Sequence, residues 1–175
     1  MLFLKISLLL AFLYLAYEDL RYRAISYISL GALSISSIAY SIISLGLKPA
    51  FSYALINLIL ISIQLGATFL YFAIKQKKWR NIVNHYIGSG DILFYLPVIF
   101  LFSPFNFIFI QIVALVIVLV CVVLFKTAKK PILEIPLAGG LAIILALTLL
   151  VSWNFKSGLL FDDLFLSDLL YTLSS

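Results

Sequence analysis

Four acidic residues of this chain lie among its apolar segments, where a carboxylate is energetically costly. They are Glu18, Asp19, Asp91 and Glu134, and the other three acids fall in the C-terminal tail. An acidic side chain at membrane depth costs roughly 2.5–3.5 kcal/mol on insertion scales, so each of the four is a candidate functional group. For Glu18 and Glu134 we expect a position at the headgroup boundary and pairing with nearby Arg or Lys.

Asp91 is set apart by the residues that precede it. It closes the run Gly88-Ser89-Gly90-Asp91, and a continuous apolar stretch follows. Gly88 and Gly90 have no Cβ atoms, so they allow close backbone approach to the acid. A Gly-x-Gly run alone is a weak signal, and this one lacks the strand and the wider spacing of a dinucleotide or phosphate loop. We therefore exclude a nucleotide site.

Asp19 and Asp91 are suitably placed to act as a pair. Asp19 ends one apolar segment and Asp91 begins another, so two helices running in opposite directions would bring both acids to the same depth. Two carboxylates that share one proton can hydrolyse a peptide bond, because the ionised group activates water while the protonated group donates to the carbonyl oxygen. The sequence leaves open which aspartate is acid and which is base.

The elements that must position these acids are membrane helices. The chain is 65% hydrophobic and 11% charged, with a mean hydropathy of +1.21. Its apolar segments repeatedly approach the roughly 20 residues that cross a hydrocarbon layer about 30 Å thick. We predict an all-α, polytopic membrane bundle of about six transmembrane helices, in a single domain over residues 1–175. The predicted helices cover residues 2–20, 25–46, 50–74, 87–103, 106–125 and 132–152, with an interfacial tail at 156–175.

The basic residues predict the orientation of the bundle. Nine Lys and Arg residues fall on one side of the predicted membrane, and three fall on the other. The positive-inside rule places the nine in the cytoplasm, and both termini then lie outside. The nine are Arg21, Arg23, Lys75, Lys77, Lys78, Arg80, Lys126, Lys129 and Lys130, and the three are Lys5, Lys48 and Lys156.

The remaining polar residues indicate no cofactor. The formal net charge of +5 is confined to short clusters between apolar spans, which favours membrane topology and contact with anionic lipid over nucleic-acid binding. Cys121 is the only cysteine, and no Cys/His cluster suits a metal, so we expect neither a metal nor another cofactor. We interpret His85 as a solvated loop residue. Asn57, Gln64 and Gln111 are expected to form hydrogen bonds between helices.

Three segments of the sequence resemble one enzyme family. Gly88–Asp91 resembles the signature of the GxGD aspartic proteases, and Asp19–Ile25 resembles the first aspartate motif of the type IV prepilin peptidases. Ile135–Gly140 is similar to the C-terminal Ile-Pro stretch of that family. Two positions depart from the family pattern: Ser26 stands in place of the usual proline and Leu93 in place of a common lysine.

The resemblance implies a function and a substrate. It implies an aspartic endopeptidase that uses Asp19 and Asp91 to cleave the N-terminal leader of type IV pilin-like or archaellin-like precursors, at the cytoplasmic face of the cytoplasmic membrane. The cytoplasmic insert of the bifunctional bacterial members is missing, so the chain resembles the short form without methyltransferase activity. The alternative is a small transporter or channel subunit that uses the two aspartates as a proton or cation relay.

Overall fold

The chain folds into an all-helical bundle, which confirms the predicted fold class. A computed structural model describes residues 1–76, 88–127, 137–154 and 158–163. In chain order its helices are α1 (Leu2–Tyr22), α2 (Tyr27–Leu45), α3 (Leu47–Gln76), α4 (Ser89–Val98), α5 (Pro104–Thr127), α6 (Leu137–Asn154) and the single turn α7 (Gly158–Phe161).

Three of these helices are long and apolar enough to cross a membrane. The qualifying stretches are Tyr27–Leu45, Leu47–Tyr71 and Pro104–Cys121, and α6 contains a shorter apolar stretch, Ala138–Trp153. Large apolar side chains cover much of the outer surface of α3 and α5. Such a surface suits lipid rather than water, because a soluble protein rarely exposes contiguous apolar area of this extent. The protein is therefore a helical membrane protein.

Two helix boundaries differ from the sequence prediction for local reasons. The break predicted at residues 47–49 lies at Gly46 instead, where φ is 90°. α3 begins at Leu47 and takes Pro49 into its first turn, where a missing N–H costs no helical hydrogen bond. The predicted helix at 87–103 is only the ten-residue α4, with Pro97 one residue before its end. At 1.5 Å per residue α4 is about 15 Å long, half the thickness of a bilayer core.

The chain just beyond α4 is held by a buried amide. Asn57 of α3 is fully buried, and its Nδ2 donates to the carbonyl oxygens of Ile99 and Phe102, both at 2.9 Å. These bonds satisfy carbonyl groups that have no helical partner where a helix ends. Gln111 of α5 similarly donates to Gln64 of α3 at 2.6 Å. The predicted hydrogen bond between helices is confirmed for Gln64 and Gln111, whereas Asn57 bonds to the segment that follows α4 rather than to another helix.

The helices that carry the candidate residues pack together around α1. α1 lies against α2 and α6, and α4 lies against α2 and α6. Phe12 of α1 and Phe94 of α4 are buried and meet edge to face, with ring centroids 6.3 Å apart. On α6, small buried residues such as Ala138 and Ala142 face this core, and small residues let helix backbones approach closely in membranes.

The start of α5, at the opposite end of the bundle, is closed by the segment that follows α6. The backbone N–H of Ser103 donates to the carbonyl of Leu160 at 2.9 Å, and the N–H of Phe105 donates to the Asp163 carboxylate at 3.2 Å. Leu160 is fully buried. This part of the predicted interfacial tail therefore packs into the bundle, while residues 155–157 and 164–175 lie outside the described residues.

Candidate active site

Asp19 lies in the last turns of α1, where the helix ends in a left-handed residue. Its side chain is 7% exposed. Arg23 follows α1 with φ 55° and ψ 29°, and its N–H donates to the carbonyl of Asp19 at 3.1 Å. This conformation is uncommon for a residue other than glycine. It turns the chain directly into α2, so that Ala24 and Ile25 stand beside Asp19.

Asp91 is the third residue of α4, and both glycines before it contact the site. Gly88 precedes the helix in an extended conformation, and its carbonyl accepts from the N–H of Asp91 at 3.1 Å. A Cβ atom on Gly88 would lie 3.1 Å from Asp91 Oδ2, closer than most real Cβ contacts. A Cβ atom on Gly90 would lie 3.4 Å from Ile25 Cδ1. The two glycines thus allow close packing against Asp91 and against the turn after α1.

The first residues of α6 bring the two aspartates together. The backbone N–H of Ala138 donates to Asp91 Oδ1 at 3.1 Å, and the next N–H, that of Gly139, donates to Asp19 Oδ2 at 2.6 Å. The first N–H groups of a helix have no helical acceptor and carry partial positive charge. Two acids that are distant in the sequence therefore occupy one anion-binding helix terminus.

Gly139 is at the closest approach between α6 and α1. A Cβ atom at this position would lie 2.9 Å from Asp19 Oδ2 and 3.2 Å from Asp19 Cβ. The next glycine, Gly140, faces α5 instead, and its Cβ would lie 2.8 Å from Val118 Cγ2. In the sequence the two glycines are adjacent members of the same stretch, Ile135–Gly140. Position in the helix separates them, because Gly139 is still among the first residues of α6, whose N–H groups have no helical acceptor, and Gly140 is not.

A cavity of about 320 Å³ opens beside the two acids. Asp19 and Asp91 both line it, together with Arg23, Ile25 and Leu93. Its walls combine charged groups, backbone and apolar side chains, a mixture that is typical of ligand-binding clefts. In the described part of the chain, no cluster of three or more His, Cys, Asp or Glu residues could hold a metal ion.

Glu18 has different partners from those that the sequence predicted. It is only 8% exposed and accepts hydrogen bonds at the N-terminus of α2 from Ser26 and Ser29. Among the described residues the expected pairing with Arg or Lys is wrong, because N–H and hydroxyl donors at the start of α2 bind the carboxylate instead. The predicted position at the headgroup boundary stays a prediction. The other two residues singled out near the site, His85 and Glu134, lie outside the described residues, as do Ile135 and Pro136.

No protein-family model, no curated protein and no solved structure matches this chain. The relationship to the type IV prepilin peptidases therefore stays a prediction, carried by the motifs around Asp19 and Asp91.

The contact between Gly139 and Asp19 can be tested by stability measurements alone. Gly139→Ala should lower the free energy of unfolding by about 1–3 kcal/mol, because the added methyl group overpacks against the carboxylate. Combined with Asp19→Ala, the same substitution should cost less, since its closest contact is gone. Thermal unfolding of the four proteins in detergent gives the coupling energy.

The matched control is Gly140→Ala, which adds a methyl group to the same helix but directs it at Val118. Its effect should add to that of Asp19→Ala without coupling. Equal coupling for both glycines, or none for Gly139, would contradict the geometry described for the start of α6.

Proposed function

We propose that this protein is a membrane aspartic endopeptidase that cleaves the N-terminal leader of type IV pilin-like or archaellin-like precursors. The observation that supports the proposal best is the convergence of Asp19 and Asp91 on consecutive N–H groups of α6. The two carboxylates are near enough for their charges to interact, and both line the same cavity. Such proximity supports the proposal, because a pair of carboxylates must lie close together to share one proton.

The proposed reaction uses a water molecule held between the carboxylates. The ionised aspartate removes a proton from water as the oxygen attacks the scissile carbonyl carbon, and the protonated aspartate donates its proton to the carbonyl oxygen. Collapse of the tetrahedral intermediate breaks the C–N bond, and the leaving nitrogen takes a proton from the dyad. The start of α6 stabilises the negative charge of the pair and fixes one oxygen of each group, so little reorganisation is needed during turnover.

The location of the pair favours a peptidase over a proton or cation relay. Relay acids are expected inside the membrane along an ion pathway. Here Asp19 lies near the end of α1, Asp91 lies at the start of α4, and the cavity beside them also includes the turn residue Arg23. A site at a helix-terminal surface is suited to a polypeptide that arrives from the aqueous phase. A leader attached to a hydrophobic helix meets this requirement, because its helix can remain in the bilayer.

We place this end of the bundle at the cytoplasmic face of the cytoplasmic membrane. Arg21 and Arg23 are the second and fourth residues after Asp19, and the connections between α3 and α4 and between α5 and α6 carry most of the other basic residues. The opposite end carries few basic residues, of which Lys48 at the start of α3 is exposed. This asymmetry supports a cytoplasmic site by the positive-inside rule.

Asp19→Asn and Asp91→Asn should each lower the rate of leader cleavage by about 10²–10⁴-fold or more, because an amide cannot exchange the shared proton. The measurement is cleavage of a pilin-like precursor by purified protein in liposomes. Asp163→Asn is the matched control, since Asp163 also accepts a backbone hydrogen bond at a helix N-terminus, that of α5, away from the cavity. It should retain wild-type cleavage, and near-normal cleavage by either Asp19→Asn or Asp91→Asn would refute the dyad.

Cysteine labelling tests the proposed orientation. Tyr27→Cys lies at the site end and replaces a side chain that is 82% exposed, whereas Lys48→Cys lies at the other end. A membrane-impermeant maleimide should label position 27 only from the cytoplasmic side and position 48 only from the outside. The reverse pattern would place the site outside the cell, and labelling of both positions from one side would contradict the bundle topology.

A further inference from the structure

Glu18 is a buried acid that the proposed reaction does not use. Its Oε2 atom accepts three hydrogen bonds from the start of α2: from Ser26 N at 3.2 Å, Ser26 Oγ at 3.1 Å and Ser29 Oγ at 2.5 Å. Ser26 is the residue before the first turn of α2, and its hydroxyl also accepts from Ser29 N at 3.2 Å. One carboxylate oxygen therefore ties the last turns of α1 to the first turn of α2.

The segment between α1 and α2, which these hydrogen bonds hold in place, forms one wall of the site. Only residues 23–26 separate α1 from α2, and Arg23, Ala24 and Ile25 all line the cavity. Ile25 directly precedes Ser26, and its side chain faces Gly90, the residue before Asp91, where an added Cβ atom would lie 3.4 Å from Ile25 Cδ1. A continuous set of contacts thus runs from Glu18 through Ser26 and Ile25 to the start of α4.

The hydrogen bonds of Glu18 to the start of α2 also constrain Asp19, because both residues lie in the last turns of α1. Glu18 and Asp19 are neighbours in α1, and their side chains are held on different sides, one by α2 and the other by Gly139 of α6. Rotation of the last turn of α1 would weaken both sets of bonds together. Two anchors on adjacent residues therefore fix the rotation of this turn better than either anchor alone.

We infer that Glu18 is a positioning residue for the aspartate pair: by binding the start of α2 it fixes the turn at residues 23–26 and the separation between Asp19 and Asp91. This role rests on the proposed peptidase function. It requires a hydrogen-bond acceptor at the position of Oε2, and it does not require Glu18 to exchange a proton. Two substitutions distinguish hydrogen-bond acceptance from proton exchange. Glutamine keeps a carbonyl acceptor but has no exchangeable carboxyl proton, whereas leucine keeps only the approximate size.

The experiment compares Glu18→Gln with Glu18→Leu in the leader-cleavage assay. Glu18→Leu should lower kcat by about 10- to 100-fold, the range expected when catalytic groups are misplaced by about 1 Å, with KM little changed because the substrate-binding groups remain. Glu18→Gln should retain most of kcat. Ser29→Ala removes the 2.5 Å donor, together with the bonds of Ser29 Oγ to Ser26, and should lower kcat in the same direction. This variant covers the case of a Glu18→Leu protein that does not fold.

Asn57→Leu controls for loss of stability alone. It removes a buried amide with two hydrogen bonds beyond the far end of α4 from Asp91, so it should lower the melting temperature while leaving kcat unchanged below that temperature. A folded Glu18→Leu protein with wild-type kcat would overturn the inference. So would a Glu18→Gln protein as impaired as Glu18→Leu, because Glu18 would then act through its charge or its proton.

Hydrogen–deuterium exchange provides a readout that does not depend on cleavage. Glu18→Leu should speed amide exchange both in residues 25–30 and in residues 88–92, since Ile25 transmits the change to the start of α4. Faster exchange in residues 25–30 alone would overturn the positioning role. If wild-type protein fails to cleave the precursor while this exchange pattern is found, the proposed peptidase function fails and the coupling between α1, α2 and α4 stands.

Discussion

The structure depends on a small number of backbone N–H groups at the start of α6. A carboxylate inside a membrane bundle is costly unless it is hydrogen-bonded. Here the buried Asp19 and the half-buried Asp91 accept from adjacent residues, Gly139 and Ala138. The helix terminus supplies these donors without a basic side chain, together with the partial positive charge of the helix dipole. The packing of α1, α4 and α6 is therefore coupled to the state of the two acids.

This arrangement explains why the small residues of α6 are distributed as they are. Gly139 allows α1 to approach until the Asp19 carboxylate reaches a backbone N–H, and Gly140 allows Val118 of α5 to pack on the other side. A larger residue at position 139 would separate the donor from its acceptor. In a membrane, where lipid provides little hydrophobic drive for helix association, such close contacts and hydrogen bonds determine which helices pack together.

The sequence predicted the acids better than it predicted their surroundings. Asp19 and Asp91 could be selected because ionisable residues are rare in apolar segments, and Asn57 because a buried amide needs a partner. The donors of Ala138 and Gly139 could not be selected, since every residue except proline has a backbone N–H and the sequence does not show which ones approach a carboxylate. Glu18 was misinterpreted because the nearby arginines suggested ion pairing, whereas the closer serine donors of α2 become visible only in the folded chain. The length of α4 was overestimated because Pro97 and the bonds from Asn57 end the helix within an apolar run.

The most direct test of a shared proton is the dependence of leader cleavage on pH. Two coupled carboxylates are active only when one proton is bound between them, so the rate should fall at low pH as the second carboxylate is protonated and at high pH as the shared proton is lost. We predict a bell-shaped profile for kcat across roughly pH 4 to 9 in liposomes, with folding verified at each point. A flat profile from a folded protein would contradict the two-aspartate account. A single limb that moves with His85→Gln would also contradict it, because histidine would then be the titrating catalyst.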